Sequence, residues 1–223
     1  DSLNYITAWP EIFLLSMACV VLVVDVFVSD EKRNASYLLS QLGLVGTFVL
    51  LMMTQSEGRV LAFNDMFVLD EMALVLKLFI VGISAVVFVY SRDYLKDRNI
   101  FKGEYYVLGL FAVLGMMLMV SANNLLMLYL GLELLSLCLY ALVAFNRDNS
   151  NASEAAMKYF VLGAIASGML LYGMSILYGL SGSLQLSEIA QAVSQAAAAG
   201  NAQNIGMIFG LVFIVVALAF KLG

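Results

Sequence analysis

The chain has 223 residues, of which 63% are hydrophobic and only 12% charged, with one proline, two cysteines, no histidine and a net charge of −5. A soluble domain carries roughly 45–50% apolar and about 25% charged residues, so this composition leaves too little polar surface for water. Only helices and closed barrels satisfy their backbone in hydrocarbon, and the alternation of barrel strands is absent. The expected fold class is therefore all-α, a polytopic transmembrane helix bundle.

Seven apolar runs approach the roughly 20 residues needed to cross a roughly 30 Å hydrocarbon core. The first, Trp9–Val28, contains Glu11 near its start and Asp25 about a turn from its end. It lacks the basic leader and cleavage pattern of a signal peptide. Both acids read as interfacial or structural, Glu11 in a first turn where a carboxylate complements the helix dipole. The second run is Tyr37–Thr54 and the third Phe67–Tyr90. Asp70 and Glu71 open the third run in the same interfacial sense. Lys77 lies deeper, open between snorkelling to the surface and a role of its own. Tyr105–Val120 is the fourth run, Leu125–Phe145 the fifth, Ala155–Leu180 the sixth and Ile205–Leu222 the seventh. Between the last two, Ser187–Asn204 suits a short amphipathic helix on the membrane surface.

Basic residues orient these spans. Lys32, Arg33, Arg92, Lys96, Arg98, Lys102 and Arg147 follow spans 1, 3 and 5, whereas Arg59 stands alone in the opposite loops. By the positive-inside rule the N-terminus faces outward. Cys19 and Cys138 fall inside spans, so neither reads as part of a disulfide framework or a metal site. Without CxxC, a histidine pair or a glycine-rich nucleotide loop, a direct redox role is not expected. The missing initial methionine, and an end at Leu222-Gly223 straight after a lysine, read as a fragment of something longer.

An ionisable residue inside a span costs about 2.5–3.5 kcal/mol on insertion scales and defaults to a functional hypothesis. Glu133 stands in YLGLELLSLCLY (129–140), about 12 residues or roughly 18 Å from Phe145, near mid-membrane. Tyr129, Glu133, Ser136 and Tyr140 recur at i, i+4, i+7 and i+11, one side of a helix. Such a stripe should face protein or water. Its reading is either an ion pair that locks two helices or part of a proton relay. Lys158, in the first turns of span 6, is open between snorkelling to the cytoplasmic side and neighbouring Glu133, because a short loop joins spans 5 and 6. Along span 6, Ala164, Gly168, Tyr172, Ser175 and Gly179 form a small-residue stripe expected to admit a neighbouring backbone. Lys221 ends span 7 just before Gly223, and reads either as a span-ending lysine at the surface or as one desolvated at a helix break within the membrane. One acid and two bases on three helices can pass protons without a cofactor, since each charge biases the next.

These residues carry a resemblance. Pro10-Glu-Ile12 with Asp25, the block YLGLELLSLCLYALVAFNRD (129–148), the block SEAAMKYFVLGAIASGMLLYGMSILYGLSGSL (153–184) and ALAFKLG (217–223) resemble the antiporter-like family of subunit N of bacterial respiratory complex I. The two middle blocks are the specific ones. The resemblance implies an antiporter-like fold with about seven spans in this stretch and the first five-helix repeat incomplete. Residues 1–104 would hold helices 1–3, and 105–223 helices 4–7 of that repeat, in one continuous membrane domain. It implies a proton-translocating membrane-arm subunit of NADH:quinone oxidoreductase, driven by quinone reduction in other subunits. Glu133, Lys158 and Lys221 fall on the family's relay positions, with Tyr129, Ser136 and Tyr140 as a supporting polar face. No cofactor is implied in this chain; NADH, FMN, iron–sulfur clusters and quinone would reside in other subunits. The implied partners are the other membrane-arm subunits and the lipid bilayer, with no nucleic acid. The implied location is the bacterial inner membrane, N-terminus periplasmic. Two departures stand out: Cys138 replaces a proline of many relatives, and the sequence stops before an eighth span. The rivals are an Mrp-type or stand-alone cation/proton antiporter and a passive scaffold.

Overall fold

A computed structural model describes residues 4–28, 34–54, 58–199 and 202–222. After a 3₁₀ turn at Tyr5–Ala8, α1 (Trp9–Phe27) begins with Pro10 in its first turn, where the missing N–H costs no hydrogen bond. α2 (Asn34–Met53), α3 (Glu71–Asp97) and α4 (Glu104–Val120) complete a first group. α5 (Leu125–Val143), α6 (Ser150–Ser181), the short α7 (Leu186–Ala199) and α8 (Ala202–Leu222) form a second. Six of these helices are long and apolar enough to span a bilayer, and α4, 17 residues long, is a shorter apolar helix. The chain is an integral membrane protein with the all-α, multi-span architecture that its composition dictates.

Each group has its own core. Leu14, Leu44, Val81, Tyr106 and Leu110 anchor α1–α4, and Leu170, Met174, Leu177, Met207 and Ala217 anchor α6 and α8. α4 and α5 join the groups by backbone contact. A side chain at Gly115 would collide with the Gly131 carbonyl at 2.8 Å, and one at Gly131 with the Gly115 carbonyl at 2.9 Å. Only glycine at both positions permits that approach. The outward faces are apolar, with Phe79, Ile83 and Val86 of α3 exposed, while Ser36, Ser40, Thr47 and Lys77 are buried. This is the inside-out arrangement that lipid solvent favours. The interior hydroxyls return to their own helices, Ser40 to the Ser36 carbonyl at 2.7 Å and Thr47 to the Gly43 carbonyl at 2.8 Å. Asp25 accepts from the Ser36 hydroxyl at 2.6 Å beside Gly103 at the start of α4, which gives it the structural place expected of it.

Span 3 differs from its expected start. Phe67–Leu69 is not helical but forms β2, paired antiparallel with β1 (Val60–Ala62). Asp70 then caps α3, accepting from the Ala73 amide at 2.7 Å. The hairpin prevails because its backbone finds partners: Val68 donates to the Ser121 carbonyl at 2.8 Å in the α4–α5 turn. Asn123 extends this belt. Its amide donates to the Met66 carbonyl, its carbonyl accepts from Leu186 N, and its side chain accepts from Arg59 at 2.7 Å and donates to the Asp65 carbonyl at 2.8 Å. Hairpin, α4–α5 turn and α6–α7 turn therefore lie at one end, with Arg59. Arg92, Lys96 and Arg147 lie at the other, where Arg147 meets Glu104 at 3.2 Å. Lys32 and Arg33 fall outside the described residues. α7 lies where a surface helix was expected, burying Ile189 and Ala196 and exposing Ser187, Glu188 and Gln191.

Candidate functional site

Glu133 stands in the middle of α5, a helix that Asn124 caps by accepting from the Leu126 amide at 2.8 Å. Its stripe faces protein: Ser136 and Tyr140 are buried, Tyr129 and Glu133 half-buried. α5 runs unbroken through Cys138. Opposite stands α8, whose terminal Lys221 is carried by the apolar run before it into the same interior.

The two charges meet. Lys221 Nζ donates to Glu133 Oε1 at 2.6 Å, with the lysine side chain 6% and the glutamate 20% exposed. Lys221 also donates to Ser136 Oγ at 3.1 Å, while the Ser136 hydroxyl donates a hydrogen bond to the Leu132 carbonyl at 2.8 Å. Across the gap, Ser167 of α6 donates to Glu133 Oε1 at 2.5 Å, within 3.0 Å of the Gly163 carbonyl as well. Three helices thus converge on one carboxylate. The helix break expected after Lys221 falls on Gly223, outside the described residues.

Ser167 has one hydroxyl proton and two acceptors, which gives the site a chemical property. When Glu133 is ionised, the hydroxyl points at the carboxylate, a charge-assisted bond. When Glu133 is protonated it can donate to Ser167 Oγ, and the hydroxyl turns to the Gly163 carbonyl. Both states are satisfied with no heavy atom moved. Ser136 offers Lys221 a similar resting place. A low-dielectric interior penalises any charge without such partners, so this arrangement tolerates two protonation states.

Tyr140 closes the site from α5. Its ring meets Tyr159 edge-on at 4.7 Å and Phe160 at 5.7 Å, and its hydroxyl lies over Gly163, where any side chain would displace it. Tyr129 packs against the α6–α8 core. Of the two readings open for Lys158, the structure shows the outward, exposed one. Its ammonium pairs with Glu154 at 2.6 Å on the outward face of α6, with side chains 72% and 64% exposed, so Glu133's ionic partner here is Lys221 instead. The small-residue stripe is also shifted. Gly168 and Gly179 have no neighbouring atom nearby, and α6 buries Gly163, Ser167, Leu170 and Gly173 instead. Ser167 lies on the face beside the stripe expected to pack, not on it. Its signal was the Gly163–Ser167 spacing of i, i+4 beside Leu170 and Met174.

A second ion pair lies in the first helix group. Lys77 of α3 and Glu11 of α1 stand 2.5 Å apart, with side chains 0% and 4% exposed. Glu11, expected to be interfacial, is buried, and Lys77 does not snorkel.

Comparison with known proteins places this geometry in context. Residues 122–223, which hold Glu133, Ser167 and Lys221, match the family model described as NADH:quinone oxidoreductase/Mrp antiporter, TM. NADH-quinone oxidoreductase subunit N of Thioalkalivibrio sulfidiphilus is 55% identical over 220 residues, 99% of this chain and 45% of that protein. The protein of the same name from Thiobacillus denitrificans is 54% identical over 221 residues, again 99% of this chain and 45% of its own length. The chain therefore spans slightly under half the length of these curated relatives. Among solved structures, a chain of respiratory complex I from Thermus thermophilus aligns with a TM-score of 0.74 at 26% identity, covering 95% of this chain and 43% of that one. A chain of an archaeal membrane-bound sulfane sulfur reductase shares the fold, with a TM-score of 0.72 at 24% identity over 97% of this chain and 44% of its own.

Proposed function

From the premise that the chain belongs to the family of NADH-quinone oxidoreductase subunit N, we propose that it translocates protons as a membrane-arm subunit of an NADH:quinone oxidoreductase. The observation that carries this reading is the Lys221–Glu133 contact at 2.6 Å, buried among α5, α6 and α8 with a serine hydroxyl on each charge. Glu133 accepts and releases the proton, Lys221 responds to its charge, and Ser136, Tyr129 and Tyr140 line the same face. Lys158 acts from the rim of α6, where its ammonium is open to exchange. Redox energy comes from elsewhere: NADH, FMN, iron–sulfur clusters and quinone belong to other subunits, with which this chain assembles in the bilayer. The loops bearing Arg92, Lys96, Arg98, Lys102 and Arg147 face the cytoplasm, and the hairpin end and N-terminus face the periplasm of a bacterial inner membrane.

An Mrp-type antiporter shares the same acid–base logic, and purification separates the two. Co-migration of the full-length protein with flavin and iron–sulfur proteins is the expected result. Assembly only with other antiporter subunits would sink the respiratory reading. Glu133→Gln then tests the site: shape is kept, and the proton-to-electron ratio of the assembled complex should fall. An unchanged ratio would leave a scaffold.

A further inference from the structure

The geometry points to a second proton-exchange site, Glu11 with Lys77, beneath the hairpin in the first helix group; the inference rests on the proton-translocating reading above. The two side chains are 4% and 0% exposed and stand 2.5 Å apart. Neither Glu11 oxygen nor the Lys77 ammonium makes a directed hydrogen bond, and the buried hydroxyl of Ser121, on the turn that pairs with β2, is also without a partner. The ammonium instead faces the Phe67 ring at 4.8 Å.

A structural tie would not be built this way. Desolvating two charges is offset only when their remaining donors and acceptors are satisfied, and apolar residues of similar volume often hold helices as well or better. Asn123, which bonds directly to the same hairpin, shows what a satisfied tie looks like, with every polar group bonded. The pair suits a change of charge, because the Lys77–Glu11 contact is the one polar contact that has to break. When Glu11 takes one proton from water, an O–H bond forms at the carboxylate and a hydroxide or a relayed proton deficit stays in the water. Lys77 keeps its own proton throughout. With its counter-charge gone, the ammonium retains the face of Phe67, an attraction that strengthens on desolvation. Releasing the proton restores the ion pair.

Toward the hairpin, the aliphatic stem of Glu11 borders an apolar cavity of about 320 Å³, between Phe63, Met66 and Phe67 of the hairpin and Leu118 and Met127. Other charges nearby are engaged: Asp70 caps α3 and Arg59 is held by Asn123. The site is distinct from Glu133, which sits on α5 with partners on α6 and α8.

The test uses the full-length protein in its native membrane complex. Redox-induced infrared difference spectra should show the carbonyl band of a carboxylic acid that is absent from E11Q/K77M and persists in E133Q. The paired replacement keeps shape without a lone buried charge, and thermal unfolding near that of the parent verifies its fold. The expected companion result is a lowered proton-to-electron ratio. If no band depends on Glu11 and E11Q/K77M pumps like the parent, the inference is overturned. A wild-type ratio in E133Q would instead strike at the Glu133 reading, so the two failures are told apart.

Discussion

Two buried lysine–glutamate pairs lie among the described residues, and they are built differently. Glu133 and Lys221 meet between α5 and α8 with Ser167 and Ser136 supplying one hydroxyl to each charge, and the glutamate is 20% exposed. Glu11 and Lys77 meet between α1 and α3 at 4% and 0% exposure, with the Phe67 ring facing the ammonium and no hydroxyl bonded to either charge. Depth of burial therefore does not measure how well a charge is supported. The less buried pair is the better solvated by protein, and removing one partner should hurt the bare pair more.

The largest effect expected is from Lys77→Met. It strands the Glu11 carboxylate in an apolar interior, and breaking a buried pair from one side costs about 3–5 kcal/mol. Thermal unfolding of the full-length protein should show the loss, and E11Q/K77M should recover most of it. Failure to recover would mean that Glu11 and Lys77 are not each other's counter-charge. Lys221→Met should cost less in stability, about 1.5–3 kcal/mol, because Ser167 still donates to Glu133. Its main effect falls on the proton-to-electron ratio. A stability loss as large as that of Lys77→Met would erase the contrast between the pairs.

Ser167→Ala sharpens the comparison further, since it makes the Glu133 pair resemble the Glu11 pair. Losing one charge-assisted bond to the carboxylate costs about 1.5 kcal/mol, the low end for a charged acceptor, and proton pumping should slow while quinone reduction continues. Equal rates in the variant would show that the hydroxyl's choice between Glu133 and Gly163 has no part in turnover. The smallest stability change belongs to Lys158→Ala. Its exposed i, i+4 partner Glu154 is worth about 0.3–0.5 kcal/mol, so a clear fall in pumping with unchanged unfolding would identify Lys158 as a rim group of the relay.

Much of the fold was legible in the residues. Hydropathy is a sum over neighbours in sequence, so the spans emerged with boundaries close to those observed, as at Trp9–Phe27 and Leu125–Val143. The amphipathic α7 was legible for the same reason. Phe67–Leu69 was not, because an apolar triplet has no period of its own. Its strand conformation depends on Ala62, Leu61 and Val60 across the hairpin and on Ser121 beyond it. Asp70 was the available clue, an N-cap residue ahead of an apolar run.

The candidate site was half legible. Glu133 declared itself, since a lone carboxylate at mid-span is costly wherever the helix packs. Its stripe with Ser136 and Tyr140 followed from the 3.6-residue period. Its partner did not. Short-loop adjacency favoured Lys158, yet rotation of α6 about its axis sends that ammonium outward and turns Ser167 in.

Membrane class, helix content and the existence of buried charges thus come from composition and local order, because transfer free energy is paid residue by residue. The pairing of those charges does not. Lys221 reaches Glu133 across 88 positions of chain, and in a bundle of nearly uniform Leu, Val and Gly no local pattern distinguishes one such meeting from another. Helix rotation and the glycine-permitted approach of α4 to α5 set which polar atoms share an interior, and with them which carboxylate is cushioned by hydroxyls and which is left bare.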